Sequence, residues 1–180
     1  MDVPHHAGEV WPKRPRGILV TDAGKAGARR LGASPERVPL RTDLSFEPMK
    51  VDGRCHCGAI TYEAEIDPDT VGICHCTDCQ MLTGSAFRVS VPAPAATFVL
   101  RGTPAIYMKT ADSGNKRKHA FCATCGTPVY ACAPSDPPTY SLRVGALRQR
   151  ASLRPRREIW CASALPWAPR LEGLQKSERQ

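Results

Sequence analysis

The sequence predicts an all-β domain stapled by bound zinc, and three observations carry that prediction. With 17 prolines and 14 glycines in 180 residues, the chain must turn often and build short elements. Between those turns recur stretches in which apolar and polar residues alternate, the period of a half-buried strand. The 9 cysteines fall largely into tightly spaced groups at the turns, as metal-ligating knuckles do. Aromatic residues make up only 6% of the chain, so the core is expected to be thin, and metal binding would add directly to folding free energy.

Taken in order, residues 1–50 hold no cysteine and little periodicity, with many Pro, Gly, Arg and Ala residues. They read as a mobile N-terminal extension without function, or as an over-long start with Met49 near the true beginning. The pattern changes at Val51, and a zinc domain is expected over 51–173, followed by a short tail at 174–180. Ile60, Tyr62, Ala64 and Ile66 alternate with Thr61, Glu63 and Glu65 as a strand does, and Asp67-Pro68-Asp69 stops it. Phe87 to Val91 and Ala96 to Leu100 read as further strands separated by a break at Pro92-Ala93-Pro94. Pro104 to Lys109 reads as another, ending at the turn Asp112-Ser113-Gly114-Asn115. Lys118 to Phe121 leads into Cys122, Thr127 to Cys132 leads out of Cys125, and Ser141 to Val144 is a late short strand. No amphipathic helix is expected before the C-terminal segment 161–175, which has room for a turn or two.

Composition also sets aside several functional classes. No apolar run approaches the roughly 20 residues of a membrane span. The opening MDVPHHAGEVWPKRPRG lacks the apolar core of a signal peptide, so a cytoplasmic protein with reduced thiols is expected. The net charge of +8 raises nucleic acid as a partner, but the basic residues are scattered. The densest runs, Lys116-Arg117-Lys118 and Arg154-Pro155-Arg156-Arg157, are not interleaved with stacking aromatics. A solvated basic surface, or a small anionic substrate, accounts for the charge as well.

The chemistry lies in the cysteines. Cys55-His56-Cys57-Gly58 and Cys122-Ala123-Thr124-Cys125-Gly126 each offer half of a tetrahedral thiolate site, with glycine letting the backbone fold around an ion. Together they can hold a structural zinc across distant segments of chain. Cys74, Cys76 and Cys79 form a further CxCxxC set of three sulfurs. Structural sites fill all four positions with protein ligands, whereas a catalytic zinc keeps three and leaves one open. A fourth protein ligand is available in principle from His75, His56, His119, Cys132 or Cys161. For His75 and His56, which lie between ligands, the ordinary expectation is a side chain turned away from the ion. For Cys132 and Cys161 it is a buried, inert thiol. Thr83-Gly84-Ser85 is either a plain turn or a loop whose amides and hydroxyls face the open position and hold substrate.

These residues bear a close resemblance to a known family. Gly53-Arg54-Cys55-His56-Cys57-Gly58, the run Cys74 to Phe87, Phe121 to Pro128, then Pro155-Arg156 with Trp160 and Pro166-Trp167 resemble the glutathione-dependent formaldehyde-activating enzymes and the centromere protein V domain. The resemblance implies an Mss4-like fold of coiled β-sheets and two zinc ions per chain. Residues matching Cys55, Cys57, Cys122 and Cys125 would hold the structural zinc, and those matching Cys74, Cys76 and Cys79 the catalytic one. It also implies a carbon–sulfur lyase type of activity, making or cleaving a thiol–aldehyde adduct such as that of glutathione with formaldehyde. Zinc would serve by holding the thiol as a thiolate or by polarising a carbonyl. Three cysteinates leave the ion with little acidity, which favours the first. Arg88, Lys116, Arg117 and Lys118 are candidates for binding an anionic thiol. Val144 to Gln149 departs from the family, whose members often read closer to GTLD there; an acid is lost and Arg148 gained. The alternative class is a non-catalytic zinc-stapled module that binds nucleic acid or a protein.

Overall fold

The alternation through Ile60, Tyr62, Ala64 and Ile66 becomes strand β2 (Thr61–Ile66), with all four of these side chains buried. The structure is a computed structural model that describes residues 47–110, 114–168 and 177. Residues 1–46 of the N-terminal extension expected over 1–50, part of the turn at 112–115, residues 169–175 of the segment 161–175, and most of the tail at 174–180 therefore lie outside the described residues, while Met49 and Lys50 open the first strand. β2 pairs antiparallel with β1 (Met49–Arg54) on one side and β5 (Val99–Arg101) on the other, forming a three-stranded sheet.

A second, seven-stranded sheet runs β10-β3-β4-β9-β8-β7-β6. Its members are β3 (Gly72–Cys74), β4 (Arg88–Pro94), β6 (Ala105–Thr110), β7 (Lys116–Phe121), β8 (Pro128–Cys132), β9 (Thr139–Arg143) and β10 (Arg157–Ile159). All pairings are antiparallel except β10 with β3. The fold is thus all-β and Mss4-like, as the sequence predicts, with the two sheets contributing to one apolar core. Tyr62 of the small sheet meets Phe98, whose ring centroid lies 4.4 Å from Tyr140 and 5.4 Å from Tyr130 of the large sheet. Few aromatics suffice because these four stand together between the sheets.

Three expectations need correction. Pro92-Ala93-Pro94 does not break the chain: β4 continues through Pro94, paired with β9 as far as Thr139. β3 begins with Gly72 opposite Ser90, so beyond Ser90 one edge of β4 has no strand beside it. Prolines two residues apart put both missing N–H donors on the same edge of a strand, which is where a ladder tolerates them. The stretch from Ala96 is not a strand at its start, because Ala95–Thr97 forms a 3-10 turn and only Val99–Arg101 is extended. That turn is held by Ala95 N–H donating to the Pro138 carbonyl and by the Thr97 hydroxyl oxygen accepting from Glu65 N–H.

The third correction is a helix. Among the described residues one α-helix is present, α1 (Thr77–Thr83), inside the CxCxxC stretch. It is too short to show an amphipathic period, and its signals are local. The Cys76 sulfur caps it by accepting from Cys79 N–H at 3.4 Å, and Asp78 sits in its first turn. Gly84 ends it in the left-handed region at φ 60°.

Candidate metal and thiol centre

Two knuckles build the first cysteine cluster. In one, Gly58 at φ 82° lets its N–H reach the Cys55 carbonyl at 3.0 Å, while Ile60 N–H donates to the Cys55 sulfur at 3.3 Å. In the other, Gly126 at φ 71° sends its N–H to the Cys122 carbonyl at 2.8 Å. Side chains rarely adopt such φ values, which is why glycine follows the second cysteine of each pair. Thr127 joins the knuckles, its hydroxyl oxygen accepting from His56 N–H at 3.0 Å and its hydroxyl standing 3.2 Å from the Cys125 sulfur. That Thr127 contact is the main reason the Cys125 thiol is pulled down to about 5.

The four sulfurs of Cys55, Cys57, Cys122 and Cys125 all lie within 4.8 Å of one another. Cys55 and Cys57 are 3.5 Å apart, and Cys57 and Cys122 are 3.7 Å apart. Tetrahedral zinc with bonds of about 2.3 Å sets its sulfurs roughly 3.8 Å apart, so this donor set fits such an ion. The cluster follows β1 of the small sheet and sits in the β7–β8 connection of the large one. An ion held here would tie the two sheets together, as the spacing in the sequence suggests.

The second cluster brings together Cys74, Cys76 and Cys79, again with sulfurs within 4.8 Å of one another and Cys74 to Cys76 at 3.5 Å. Cys74 ends β3, Cys76 caps α1 and Cys79 lies in its first turn. Among the described residues no fourth His, Cys, Asp or Glu joins the three. His75 points elsewhere: its Nε2 is 3.3 Å from Glu158, and its ring meets Phe87 edge-on at 5.7 Å. His56, His119, Cys132 and Cys161 are likewise outside both groups. Cys132 is buried as expected, but Cys161 is exposed, since it begins a 3-10 turn beside the exposed Trp160.

Thr83-Gly84-Ser85 closes the C-terminal end of α1. The Thr83 hydroxyl donates to the Cys79 carbonyl at 2.6 Å, and the Gly84 and Ser85 N–H groups cap α1. Arg148 and Gln149 are engaged by Asp52 of β1, at 2.8 Å and 2.9 Å, so the departure from GTLD bears on the small sheet.

The strand register reveals what sequence reading did not. Residues paired across an antiparallel ladder share a face, as do residues two apart along a strand. Cys74 pairs with Arg88, and Ser90 with Arg143. Ser141 pairs with Ala131, Ala131 with His119, and Arg117 with Lys109. One face of the large sheet therefore carries Cys74, Arg88, Arg143, His119, Arg117 and Lys109, opposite to the core face of Val91 and Leu142. Lys109 forms an ion pair with Asp78 of α1, which holds the helix against this face. Burial pushes the Cys79 thiol up to about 12 against the pull of Arg88. Burial, with Arg88 as the next influence, brings the Arg143 guanidinium down to about 9, still charged at neutral pH. Of these groups the sequence singled out Arg88 and Arg117 as anion contacts and His119 as a possible ligand. Arg143 lies between the core residues Leu142 and Val144, and Lys109 between the exposed Met108 and Thr110, so neither marks itself as part of a site until the register is known.

A β protein with a four-cysteine cluster between its two sheets and a second, three-cysteine cluster beside a basic sheet face, both able to hold a metal ion, is the class these features define. The chain belongs to the family described as glutathione-dependent formaldehyde-activating enzyme, whose model matches residues 50–163. Among solved structures, it is similar to the crystal structure of a Rhodobacter sphaeroides protein from structural genomics, at 24% identity with a TM-score of 0.47, covering 59% of this chain and 98% of that one.

Proposed function

We propose that the protein is a zinc-dependent enzyme of the carbon–sulfur lyase type, making or cleaving the adduct of a small thiol with an aldehyde. The observation that carries this reading is the contrast in ligand number: four sulfurs in one cluster, three in the other. Cys55, Cys57, Cys122 and Cys125 would hold a structural zinc. Cys74, Cys76 and Cys79 would hold a second zinc with a position left for substrate, and its contribution when bound would be to stabilise an incoming thiol in its thiolate form. In the forward direction the sulfur lone pair forms the carbon–sulfur bond, the carbonyl π bond breaks, and the thiol proton ends on the new hydroxyl. The reverse restores thiol and aldehyde, so no oxidant or reductant is needed. Glutathione is the thiol that the family description suggests, and its negative charge suits the basic face around Arg88. From the loop Thr83-Gly84-Ser85, the Ser85 hydroxyl is the substrate contact we favour, because the other polar groups named above are engaged in capping α1. The functional domain is taken as 51–173, with 1–50 as extension and 174–180 as tail. Nine free thiols suit a reducing cytoplasm, and among the described residues no helix is long and apolar enough to cross a membrane.

The test is turnover of a panel of thiols with formaldehyde by the zinc-loaded protein. Cys76→Ser should bring the rate to the uncatalysed level while the far-ultraviolet circular dichroism is retained. A wild-type rate equal to background across the panel overturns the proposal.

A further inference from the structure

Arg88 and Arg143 are both almost fully buried, at 5% and 7% exposure. The Arg88 side chain has no hydrogen bond or ion pair with any other described residue, and the Arg143 side chain has only the 3.4 Å contact of its Nη2 with His119 Nδ1. The Nε atoms of both are buried without a partner. Buried guanidinium groups are normally paired, because an unpaired buried charge is among the costliest features a fold can carry. Here two stand on the same sheet face, each weakening the case for the other, and the acid in the neighbourhood, Asp78, is engaged by Lys109. Both act electrostatically on Cys79 or are acted on by it. Three thiolates around a divalent ion leave one net negative charge, and two guanidiniums bring two positive charges. Arg117 on the same face adds a third, so the balance is two unmatched positive charges beside the three-cysteine cluster, one for an incoming thiolate and one for a further anionic group.

We propose that Arg88 and Arg143 form a subsite for a single carboxylate next to the Cys74-Cys76-Cys79 cluster, so that the substrates are small thiols bearing a carboxylate within a few bonds of the sulfur. A planar guanidinium with paired N–H donors matches a carboxylate, and once the thiolate has taken one of the two positive charges, a single carboxylate takes the other. The inference rests on the thiol reading above for the identity of the sulfur, but not for the existence of the anion site. The arginines then serve binding rather than stability, which is the usual pattern when a fold retains a costly group.

The experiment uses the full zinc-loaded chain and measures calorimetric affinity for mercaptoacetate, 2-mercaptoethanol, acetate and inorganic phosphate. Mercaptoacetate is expected to bind at least about tenfold more tightly than 2-mercaptoethanol, a ratio that corresponds to roughly 1.4 kcal/mol. Arg88→Met and Arg143→Met should each erase the preference for mercaptoacetate and melt no lower than wild type without ligand. Arg88→Lys, which keeps the charge and the fold but loses the fork, should reduce the preference. Acetate and mercaptoacetate binding equally, with the arginine variants losing both, supports the subsite and overturns the thiol reading. Both thiols binding alike with no acetate binding, or the preference surviving in folded arginine variants, overturns the subsite and leaves the thiol reading standing. Binding of none of the four overturns both.

Discussion

The two cysteine clusters use the same ligand atoms and differ in nearly everything around them. Cys55, Cys57, Cys122 and Cys125 sit in two glycine-closed knuckles, with Cys55 and Cys122 fully buried, and bridge one sheet to the other. Cys74, Cys76 and Cys79 are all partly exposed, come from one short stretch of chain, and lie beside a basic sheet face that includes the buried Arg88 and Arg143. A site whose task is to hold the fold needs complete ligation and a span between elements. A site whose task is chemistry needs a free position, access and a field suited to its ligand. The sulfurs alone do not distinguish the two; the fourth ligand and the neighbouring charges do.

The comparison is broken most violently in the first cluster. Cys122→Ser should forfeit a large share of the roughly 10–16 kcal/mol that structural zinc supplies, enough to unfold a domain stable by about 5–15 kcal/mol. Loss of the cooperative thermal transition would show it; a transition within a few degrees of wild type would equate the two clusters. Cys76→Ser should act in the opposite sense, removing one metal ion and the thiol–aldehyde turnover while the thermal transition persists.

A smaller effect probes the basic face. Burial, with Arg143 and Arg88 adding to it, holds His119 down at about 4, well below the ordinary histidine value of 6.5. Since the unfolded chain takes up a proton that the folded chain refuses, His119 contributes stability above pH 6.5 that is lost as pH falls toward 4. His119→Gln should therefore lose less melting temperature than wild type between pH 7 and pH 5. Parallel pH curves for the two proteins would remove His119 from the buried basic group. Cys161→Ser should have the least effect, within about 0.5 kcal/mol as for other exposed substitutions, with metal content unchanged. A lost metal ion would make Cys161 a ligand and close the second site.

How much of this was readable in advance follows the range of each interaction. Knuckle glycines, cysteine spacing and the alternation in β2 are local, and the sequence displays them directly. The helix α1 escaped because its cap is a cysteine sulfur and its length is under two full turns. The continuation of β4 through Pro92 and Pro94 depends on which edge is left open, a property of the register and not of the strand. The same holds for Arg143 and Lys109, which become neighbours of the cysteine cluster only through pairing across several strands.

The central claim is that one cluster is closed by four sulfurs and the other is left open with three. Zinc content per chain, measured together with zinc X-ray absorption on wild type and Cys76→Ser, tests it directly. The expected result is two ions in wild type averaging about 3.5 sulfurs each, with a nitrogen or oxygen neighbour, and one ion with four sulfurs in the variant. Four sulfurs around both ions, or a single ion in wild type, would contradict it.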